Sequence, residues 1–453
     1  MGSKVYSMGT DGRSHSAASG LVQQMVTVFE AAGFADMIKP GDAVAIKLHC
    51  GEWNNTAYLR PVYARTLADR IKSLGGRPFV CDTTTLTYAL SSGRTTALDI
   101  LTTAERNGYN SGSLGCPFIV ADGYNGTDDV VVDLPEGYIL KEAYIAKAIA
   151  LADVLIVLTH FKGHPLGVIG GSVKNLGIGA QSKRGKMNVH MGGHPKYGFK
   201  VTTEFHPERC KGRAGCDRWE ICENCCPYGL FHVTETSIEW DREHCVNCLG
   251  HGGANSWCGV TSGSELTSTA ACAAMADGCL GAVKAVGRGK VGFINMAIDV
   301  SPMCDCVGHA DMPIVPHLGV FAGYDPVALD KATVDKAAQS PGMPGSAAED
   351  YDALEPGTQK FTSVSAHSYE ELNEEVQLVT GSLNGLGTME YEMVTVDPVA
   401  DRSLWMYPDR RSLREKYGPI YAKDDPFPRE RCNGEGFRRV AEVDLDKVLG
   451  KGR

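Results

Sequence analysis

The feature that most constrains the fold of this chain is a dense group of cysteines near its middle. Eight of its sixteen cysteines lie between Cys210 and Cys258. A bacterial ferredoxin run has closely spaced cysteines and ends in a cysteine followed by proline, because thiolates on tight loops can each bind one corner of a cubane. Cys226 and Pro227 match that ending. The pattern predicts a ferredoxin-type iron–sulfur module set inside a larger domain.

The order of these cysteines predicts two clusters, at least one of them of the 4Fe-4S type. In two-cluster ferredoxins the last cysteine of each run binds the other cluster. This rule assigns to the first cluster the ligands Cys210, Cys216, Cys222 and Cys258. It assigns to the second cluster the ligands Cys226, Cys245 and Cys248.

Two departures from the ferredoxin pattern leave the second cluster incomplete. Cys210 and Cys216 are further apart than the cysteines of a ferredoxin run, and His251 stands where a third cysteine of the second run is expected. The fourth ligand is open between His251 and Cys225, and a three-iron cluster or a cubane with one open iron would also fit. Histidine ligation or an open iron would alter the cluster's potential and reactivity.

A structural zinc site is the competing interpretation of the same segment. Two C-x2-C pairs that a four-thiolate zinc site would accept are formed by Cys222, Cys225, Cys245 and Cys248. Clusters are favoured because seven ligand positions and the Cys-Pro pair exceed what one zinc ion needs.

Apolar runs alternate with helical stretches over the first part of the chain. Strands are predicted over residues 4–8, 42–49, 77–82, 117–121 and 153–159, and helices over residues 17–32, 63–74 and 141–150. Such alternation predicts an α/β fold, with a mainly parallel sheet covered by helices on both faces.

The cysteine module is predicted to be an insertion in this α/β domain, because a helix over residues 265–286 and a strand over 289–300 follow it. Asp325 is predicted to cap a further helix that begins at Pro326. We therefore divide the chain into a first α/β part (1–204), the cluster-binding insert (205–262), a second α/β part (263–340) and a C-terminal helix and tail (341–453). The C-terminal helix is placed near residues 369–380.

Polar residues are concentrated after the predicted strands, where parallel sheets bind their ligands. The candidate catalytic residues are His49, Glu52, His160, Lys162, His164, Lys174 and His190. Histidines there would donate or remove protons near neutral pH, and lysines, with Lys186 and the glycine amides of residues 163–179, would hold a carboxylate or phosphate. Together these residues indicate a site, although any one of the histidines alone would more often bond to backbone.

A C-x-C pair, Cys304 and Cys306, follows the strand predicted over residues 289–300. Such a pair can chelate a metal or act as a redox dithiol, whereas buried cysteine often serves as a small apolar side chain. We include both cysteines among the candidate metal ligands.

Charge and hydropathy exclude several classes of partner. A formal charge of -10 and a pI near 5.7 leave no basic face for a nucleic acid. Residues 1–9 are polar and lack a hydrophobic signal region, and Lys147 and Asp153 interrupt the most apolar stretch. We expect a cytoplasmic protein without a membrane span, and an anaerobic host would suit its cysteines.

The motifs KLHCGEWNN, HFKGH, GGSVKNLGIG, CDC and DPVALD resemble those of an uncharacterised family described only as iron–sulfur centre proteins, a domain of unknown function that often carries a ferredoxin insert. The resemblance runs from about Lys4 to Glu392. The order of His164, Lys174 and His190 is also similar to that of the nickel-pincer lactate racemase family. That resemblance implies proton exchange at His164, a covalently held cofactor on Lys174 and nickel ligation by His190.

Three hypotheses follow. The first is an iron–sulfur oxidoreductase, in which clusters exchange electrons with an external donor or acceptor protein and serve a small anionic substrate at the strand-end site. The second is a metal-dependent, nickel-containing racemase or isomerase with accessory clusters, in which His164 and His49 move protons. The third is an electron-transfer or cluster-assembly protein without a substrate of its own. The sequence leaves the substrate and the oligomeric state open.

Overall fold

The computed structural model describes residues 2–8, 20–87, 93–190, 203–251, 258–263, 265–365, 372–404, 407, 409, 411–439 and 444–449. The chain divides into two compact units, Met1–Trp405 and Met406–Arg453. The first unit contains the sheet, the cysteine segment and the candidate site.

The strands of the described residues are given in chain order. They are β1 (Ser3–Ser7), β2 (Ala43–Lys47), β3 (Arg77–Asp82), β4 (Phe118–Val120), β5 (Asp129–Asp133), β6 (Glu142–Ala146), β7 (Val154–His160), β8 (Lys162–His164), β9 (Val168–Gly170), β10 (Thr203–Phe205), β11 (Phe231–Val233), β12 (Ile238–Trp240), β13 (Thr261–Gly263), β14 (Val291–Ala297), β15 (Gly319–Gly323) and β16 (Tyr391–Thr395).

The α-helices of the same residues are α1 (Leu21–Ala31), α2 (Pro61–Ser73), α3 (Ala97–Arg106), α4 (Ser111–Leu114), α5 (Lys147–Ala150), α6 (Ser172–Gly177), α7 (Lys183–Val189), α8 (Gly212–Gly215), α9 (Trp219–Glu223), α10 (Glu265–Val286), α11 (Pro326–Gln339), α12 (Ala347–Asp350), α13 (Lys360–Ser365), α14 (Val376–Leu383), α15 (Leu413–Tyr421) and α16 (Leu445–Val448). Short 3-10 turns occur at Phe34–Met37, Pro207–Arg209 and Arg402–Leu404, and a π turn at Arg431–Glu435.

The main sheet has eight described strands in the order β16-β1-β15-β14-β7-β2-β3-β4. Neighbouring strands are parallel except where β15 lies, because β15 runs antiparallel to both β1 and β14. The stretch between β14 and β15 is fully described and contains no helix. A chain without a crossover helix can add only an antiparallel neighbour, and β15 therefore runs antiparallel to β14. The predicted α/β fold with a mainly parallel sheet is confirmed, and the sheet is mixed.

Helices cover both faces of the sheet because successive side chains of a strand point to opposite sides. In β7, Leu155 and Val157 pack into one core together with residues of α10 and α11. Ile156 and Leu158 pack into the other core, with residues of α1 and α2. Burial on both faces explains the uninterrupted apolar sequence of this central strand.

The helix predicted over residues 141–150 is wrong over its first half. Glu142–Ala146 forms strand β6, which pairs antiparallel with β5 in a register that places Val131 opposite Tyr144, and only Lys147–Ala150 is helical. Ala143 and Ile145 are buried in the core that contains α10. The alternation of buried and exposed residues in this stretch is the period of a strand and not that of a helix.

The C-terminal helix begins later than predicted, and residues 366–371 lie outside the described part of the chain. Helix α14 begins at Val376, and residues 372–375 are not helical. The carboxylate of Glu374 accepts hydrogen bonds from the backbone N–H groups of Phe361 and Thr362, both at 3.1 Å. This side chain therefore serves the start of α13 rather than a helix of its own. Two strands that the sequence did not predict, β15 and β16, complete the sheet.

The cysteine segment forms a small structure with its own apolar core. Strands β10 and β13 pair antiparallel, and β11 and β12 form a hairpin. Phe231 stacks on Trp240 with ring centroids 4.9 Å apart, and apolar side chains of the hairpin pack with Cys225. The predicted ferredoxin-like character of this segment remains a prediction.

One helix in the described residues, Ser268–Val286 within α10, is long and apolar enough to cross a membrane by composition alone. Most of it is buried inside the protein, where it packs against α6 and α14. Its apolar character is therefore that of a helix buried in the protein core.

Candidate functional site

A cavity of about 250 Å³ opens at the carboxyl ends of the parallel strands β2, β3 and β7. Its walls carry four lysines and one arginine but only one carboxylate. This excess of positive charge suits an anion. The ionisable side chains that line it are Lys47, His49, Asp82, Arg94, His160, Lys162, His164, Lys174, Lys186, His190 and Cys306. None of the described residues of the segment 203–263 lines it.

At one end of the cavity a lysine pairs with a cysteine. Lys174 Nζ donates a hydrogen bond to Cys304 Sγ at 3.3 Å, and the backbone N–H of Cys306 donates to the same sulfur at 3.4 Å. Burial alone would raise the pKa of Cys304, but the side chain of Cys306 and the charges of Lys174 and Lys162 lower it well below the usual value. The hydrogen bond to Cys304 raises the pKa of Cys306. The two shifts have opposite directions, so Cys304 is the cysteine of the pair that loses its proton more readily.

His164 is held in one orientation by the turn that follows it. Its Nδ1 accepts hydrogen bonds from the backbone N–H groups of Gly167 at 2.8 Å and Leu166 at 3.1 Å. Because Nδ1 accepts, the ring proton of the neutral form lies on Nε2, which is 3.7 Å from Cys306 Sγ. Burial, and then the charge of Lys174, lower the pKa of His164. The ring is thus a neutral donor directed at the cysteine pair.

His49 is held in the same tautomer by the loop after β2. Its Nδ1 accepts the backbone N–H of Gly51 at 3.0 Å, which leaves the proton on Nε2. Burial lowers the pKa of His49 to about 3, and the charge of Arg94 acts in the same direction. His49 and His164 therefore both offer an Nε2–H group to a ligand.

His160 has both ring nitrogens engaged away from any ligand. Its Nδ1 lies 2.7 Å from Asp305 Oδ1, and its Nε2 lies 2.9 Å from the carbonyl oxygen of Ile298. Asp305 also pairs with Lys162 at 3.2 Å, and Lys162 donates to the carbonyl oxygen of His160 at 2.8 Å. Asp305 lies between the two cysteines of the C-x-C pair in the sequence. This buried network therefore fixes the loop that carries both cysteines. In this structure His160 is a positioning residue.

Glu52 is also a positioning residue, because it anchors an arginine that reaches the cavity. Its Oε2 accepts a hydrogen bond from Arg94 Nε at 3.1 Å, and its Oε1 accepts the backbone N–H groups of Trp53 and Gly93. Both charged side chains are almost fully buried. The described hydrogen bonds of Arg94 use Nε alone, which leaves the terminal amino groups of its guanidinium for an oxyanion.

Two further bases stand at the α7 side of the cavity. Lys186 Nζ donates to Thr83 Oγ1 at 2.7 Å, and burial lowers the pKa of Lys186 to about 7. His190 ends α7, and burial lowers its pKa to about 4. Within the described part of the chain its ring nitrogens make no hydrogen bond.

Helix α6, which carries Lys174, is fixed at its start by a carboxylate from α11. Asp330 accepts the backbone N–H groups of Ser172 at 2.8 Å and Val173 at 2.9 Å, and Asn295 Nδ2 donates to it at 2.8 Å. Gly171 makes this contact possible, because a Cβ there would lie 2.4 Å from a carboxylate oxygen of Asp330. The motifs DPVALD and GGSVKN therefore meet in space, and their contact sets the position of Lys174.

Several thiols of the cysteine segment lie close enough to affect one another, and their assignment to two clusters stays a prediction. Burial, and then the nearby thiols of Cys258, Cys210 and Cys216, raise the pKa of Cys222 to about 11. Burial raises the pKa of Cys245, whose thiol lies near those of Cys248 and Cys226, and the thiol of Cys225 lies near those of Cys222, Cys226 and Cys248. His251 instead packs its ring on Trp240 at 5.3 Å and Phe231 at 5.9 Å.

The structure brings most of the predicted site together. His49, His160, Lys162, His164, Lys174, His190 and Cys306 line the cavity, and Glu52 and Cys304 lie directly behind its wall. Arg94 and Asp305 were missed by the sequence analysis. Asp305 stands between two candidate ligands after a predicted strand, and that position was a usable signal, whereas nothing in the sequence around Arg94 marks it. His194, which the sequence offers as a further nitrogen ligand, lies outside the described residues.

Comparison with known proteins gives a family and a similar solved structure. A family model described as a domain of unknown function (DUF362) matches residues 44–335. No curated protein matches the chain. Among solved structures, the lactate racemase apoprotein from Thermoanaerobacterium thermosaccharolyticum is similar over 93% of this chain and 91% of its own, with 14% identity and a TM-score of 0.33.

Proposed function

This chain belongs to the DUF362 family, a domain of unknown function, and from its own site we propose that it is an iron–sulfur oxidoreductase acting on a small anionic substrate. One observation carries the proposal. The strand-end cavity places the guanidinium of Arg94 and the amines of Lys162 and Lys174 around a space suited to a small molecule, beside a buried thiolate. These charged residues are buried, so their fixed charges act more strongly on a ligand than they would in open water.

The anionic group of the substrate would bind at Arg94. The guanidinium is held from behind by Glu52 and can form two parallel hydrogen bonds with a carboxylate or phosphate. The Nε2–H groups of His49 and His164 would donate to a second oxygen of the substrate. Neutral imidazole donors polarise a carbonyl without adding a full charge. His164 would supply the proton that a reduced oxygen atom needs.

The two thiol groups of the cysteine segment fit iron–sulfur clusters better than zinc. Thiolates around one zinc ion lie roughly 3.8 Å apart, since each Zn–S bond is about 2.3 Å. In the described residues, no three of these sulfur atoms lie within 4.8 Å of one another. Cys210, Cys216, Cys222 and Cys258 would hold one cluster, and Cys225, Cys226, Cys245 and Cys248 the second. Bound clusters would supply single electrons received from an external donor protein.

The proposal is tested with protein purified without oxygen. Iron and acid-labile sulfide are counted, and the dithionite-reduced protein is examined by electron paramagnetic resonance. Reoxidation of the reduced clusters is then followed on adding small carboxylates, oxo acids or oxyanions. We expect an anion to accelerate reoxidation in the wild type and not in Arg94→Ala with unchanged iron content. Zinc without sulfide, or equal reoxidation in both proteins, would contradict the proposal.

A second candidate, a metal-dependent isomerase, is favoured by one observation. His164, Cys304 and Cys306 have ligand atoms within 4.8 Å of one another and could hold a metal ion. Metal binding at His164 would require the proton on Nε2 to leave, because Nδ1 is already engaged by backbone N–H groups. Stoichiometric nickel or zinc that is lost in Cys306→Ser but retained in Cys222→Ser would support this candidate.

A further inference from the structure

We propose that Lys186 is a nucleophile whose side-chain amine forms an imine with the carbonyl carbon of a small oxo acid in the strand-end cavity. The proposal rests on the proposed function, because it assigns a substrate class to the same anion-binding space. It goes beyond that function by adding a covalent step.

The hydrogen bonds of Lys186 account for two N–H groups. Its Nζ donates to Thr83 Oγ1 at 2.7 Å and to the carbonyl oxygen of Gln181. The hydroxyl of Thr83 donates its own hydrogen to the carbonyl oxygen of Gly179 at 2.8 Å, so it accepts from the lysine. A neutral amine has two N–H groups and one lone pair. Both N–H groups are thus used, and the lone pair is left for the cavity that Lys186 lines.

The other lysines of this cavity each have an anionic partner. Lys47 pairs with Asp82 at 3.0 Å, Lys162 with Asp305 at 3.2 Å, and Lys174 donates to the thiolate of Cys304. Within the described residues no carboxylate or thiolate lies at ion-pair distance from Lys186, whose side chain is only 4% exposed. A buried amine without a counter-ion favours its neutral form. Lys186 is therefore the cavity lysine suited to nucleophilic attack.

The electrostatic surroundings of Lys186 agree with its hydrogen bonds. Burial lowers its pKa to about 7, although Asp122 and Asp82 act in the opposite direction. The charges of Lys47 and Arg94 lower the pKa further. About half of the molecules would hold the free amine at neutral pH.

The covalent step needs no co-reactant. The Nζ lone pair forms a C–N bond while the carbonyl π electrons move to oxygen. The two amine hydrogens then leave with that oxygen as water, and a C=N bond remains. Arg94 would hold the carboxylate of the same oxo acid, because it lines the same cavity and its hydrogen bond to Glu52 uses only Nε. The imine withdraws electrons from the neighbouring carbon, as required for chemistry next to a carbonyl.

The test traps the imine with sodium cyanoborohydride in the complete protein, with glyoxylate as the probe. Hydride reduction converts the imine to a stable secondary amine, which peptide mass spectrometry locates. We expect the adduct on the peptide that contains Lys186, and its loss in Lys186→Arg. Lys183→Arg is the matched control, because Lys183 lies on the same helix and donates to three oxygen acceptors, Thr84 Oγ1 and the carbonyls of Thr95 and Asn125. It should leave labelling unchanged.

A second probe separates this proposal from the proposed function. Acetaldehyde carries no charge, so its trapping on Lys186 tests the amine without anion binding, while calorimetry with oxalate tests anion binding without the amine. Lys186 unlabelled by either aldehyde in a protein that binds oxalate overturns the imine and leaves the anion site. Labelling of Lys186 by acetaldehyde without oxalate binding supports the nucleophile and overturns the anion site.

Discussion

Lys174 Nζ donates a hydrogen bond to Cys304 Sγ at 3.3 Å, and this contact joins residues 130 positions apart in the chain. It places a cation beside a sulfur that burial would otherwise keep protonated. Burial alone would lower the pKa of Lys174. Cys304 and Cys306 act in the opposite direction and keep this pKa above the usual value. The pair is the electrostatic centre of the proposed site.

Removing this cation should protonate Cys304. Lys174→Met leaves the thiol buried with less positive charge nearby, so its pKa rises. An additional S–H stretching band should therefore appear in the infrared difference spectrum at neutral pH. Lys183→Met, a change on the neighbouring helix, should produce no such band. An unchanged S–H region in Lys174→Met would show that Cys304 is not held as a thiolate by this lysine.

Arg94→Ala should weaken anion binding about tenfold to a hundredfold. Hydrogen bonds to charged groups contribute about 1.5–3 kcal/mol, and about 1.4 kcal/mol corresponds to a factor of ten. Calorimetric titration with oxalate measures the loss. The control is Arg65→Ala, since Arg65 pairs with Asp69 on the exposed surface of α2. Equal affinity in Arg94→Ala and wild type would remove Arg94 from the site.

Gly171→Ala should destabilise the fold by about 1–3 kcal/mol, the usual cost of overpacking. The new Cβ would lie 2.4 Å from Asp330 Oδ2, which accepts the backbone N–H of Val173 at the start of α6. Denaturant unfolding gives the free energy of unfolding. Gly289→Ala is the matched control, because nothing lies within 4 Å of a Cβ at that position. A Gly171→Ala protein as stable as the control would show that this contact is not close.

Lys186→Met should change how stability depends on pH. The pKa of Lys186 is about 7 in the folded protein and about 10.4 in an unfolded chain. Between these values the unfolded chain binds the extra proton, so wild-type stability rises with pH and the penalty is fully present below pH 7. The stabilisation by Lys186→Met should therefore be about 3 kcal/mol larger at about pH 6 than at about pH 9. The exposed Lys336→Met serves as the control, and parallel pH curves for wild type and Lys186→Met would contradict the expectation.

Cys225→Ser should remove iron from the second cluster, whereas His251→Ala should not. The thiol of Cys225 lies among Cys222, Cys226 and Cys248, while the His251 ring packs on Trp240. Iron counts and the resonance signals of the reduced protein distinguish the two variants. Cys432→Ser changes an exposed cysteine outside the segment and should leave both signals intact. Loss of iron in His251→Ala alone would assign the fourth ligand to the histidine.

The strand-end site was predictable because it depends on periodicity. Apolar runs such as residues 153–159 predict buried parallel strands, and the carboxyl ends of parallel neighbours meet at one edge. This is why His49, after β2, and His164, after β7, were expected together and line one cavity. The helix predicted over residues 141–150 failed for the converse reason, since its strand character depends on pairing with β5.

The roles of the individual side chains were not predictable. Arg94 reaches the cavity only because Glu52 holds its Nε, and Asp305 matters only because His160 and Lys162 lie against it. The sequence alone did not show which ring nitrogens of the histidines are engaged. Their ring nitrogens differ because His164 accepts backbone N–H groups while both nitrogens of His160 are engaged by oxygen atoms.

The amino-acid sequence by itself determined that this chain is an α/β protein with a cysteine-rich segment and a polar edge after its parallel strands, because those properties follow from short-range patterns of residue type. Only the tertiary structure decided which lysine faces a thiolate, which faces a carboxylate and which faces neither. Lys174 and Lys186 are only twelve residues apart, yet the pKa of Lys174 is raised and that of Lys186 is lowered. The physical reason is that protonation depends on burial and on partners such as Cys304, which the fold brings from distant parts of the chain.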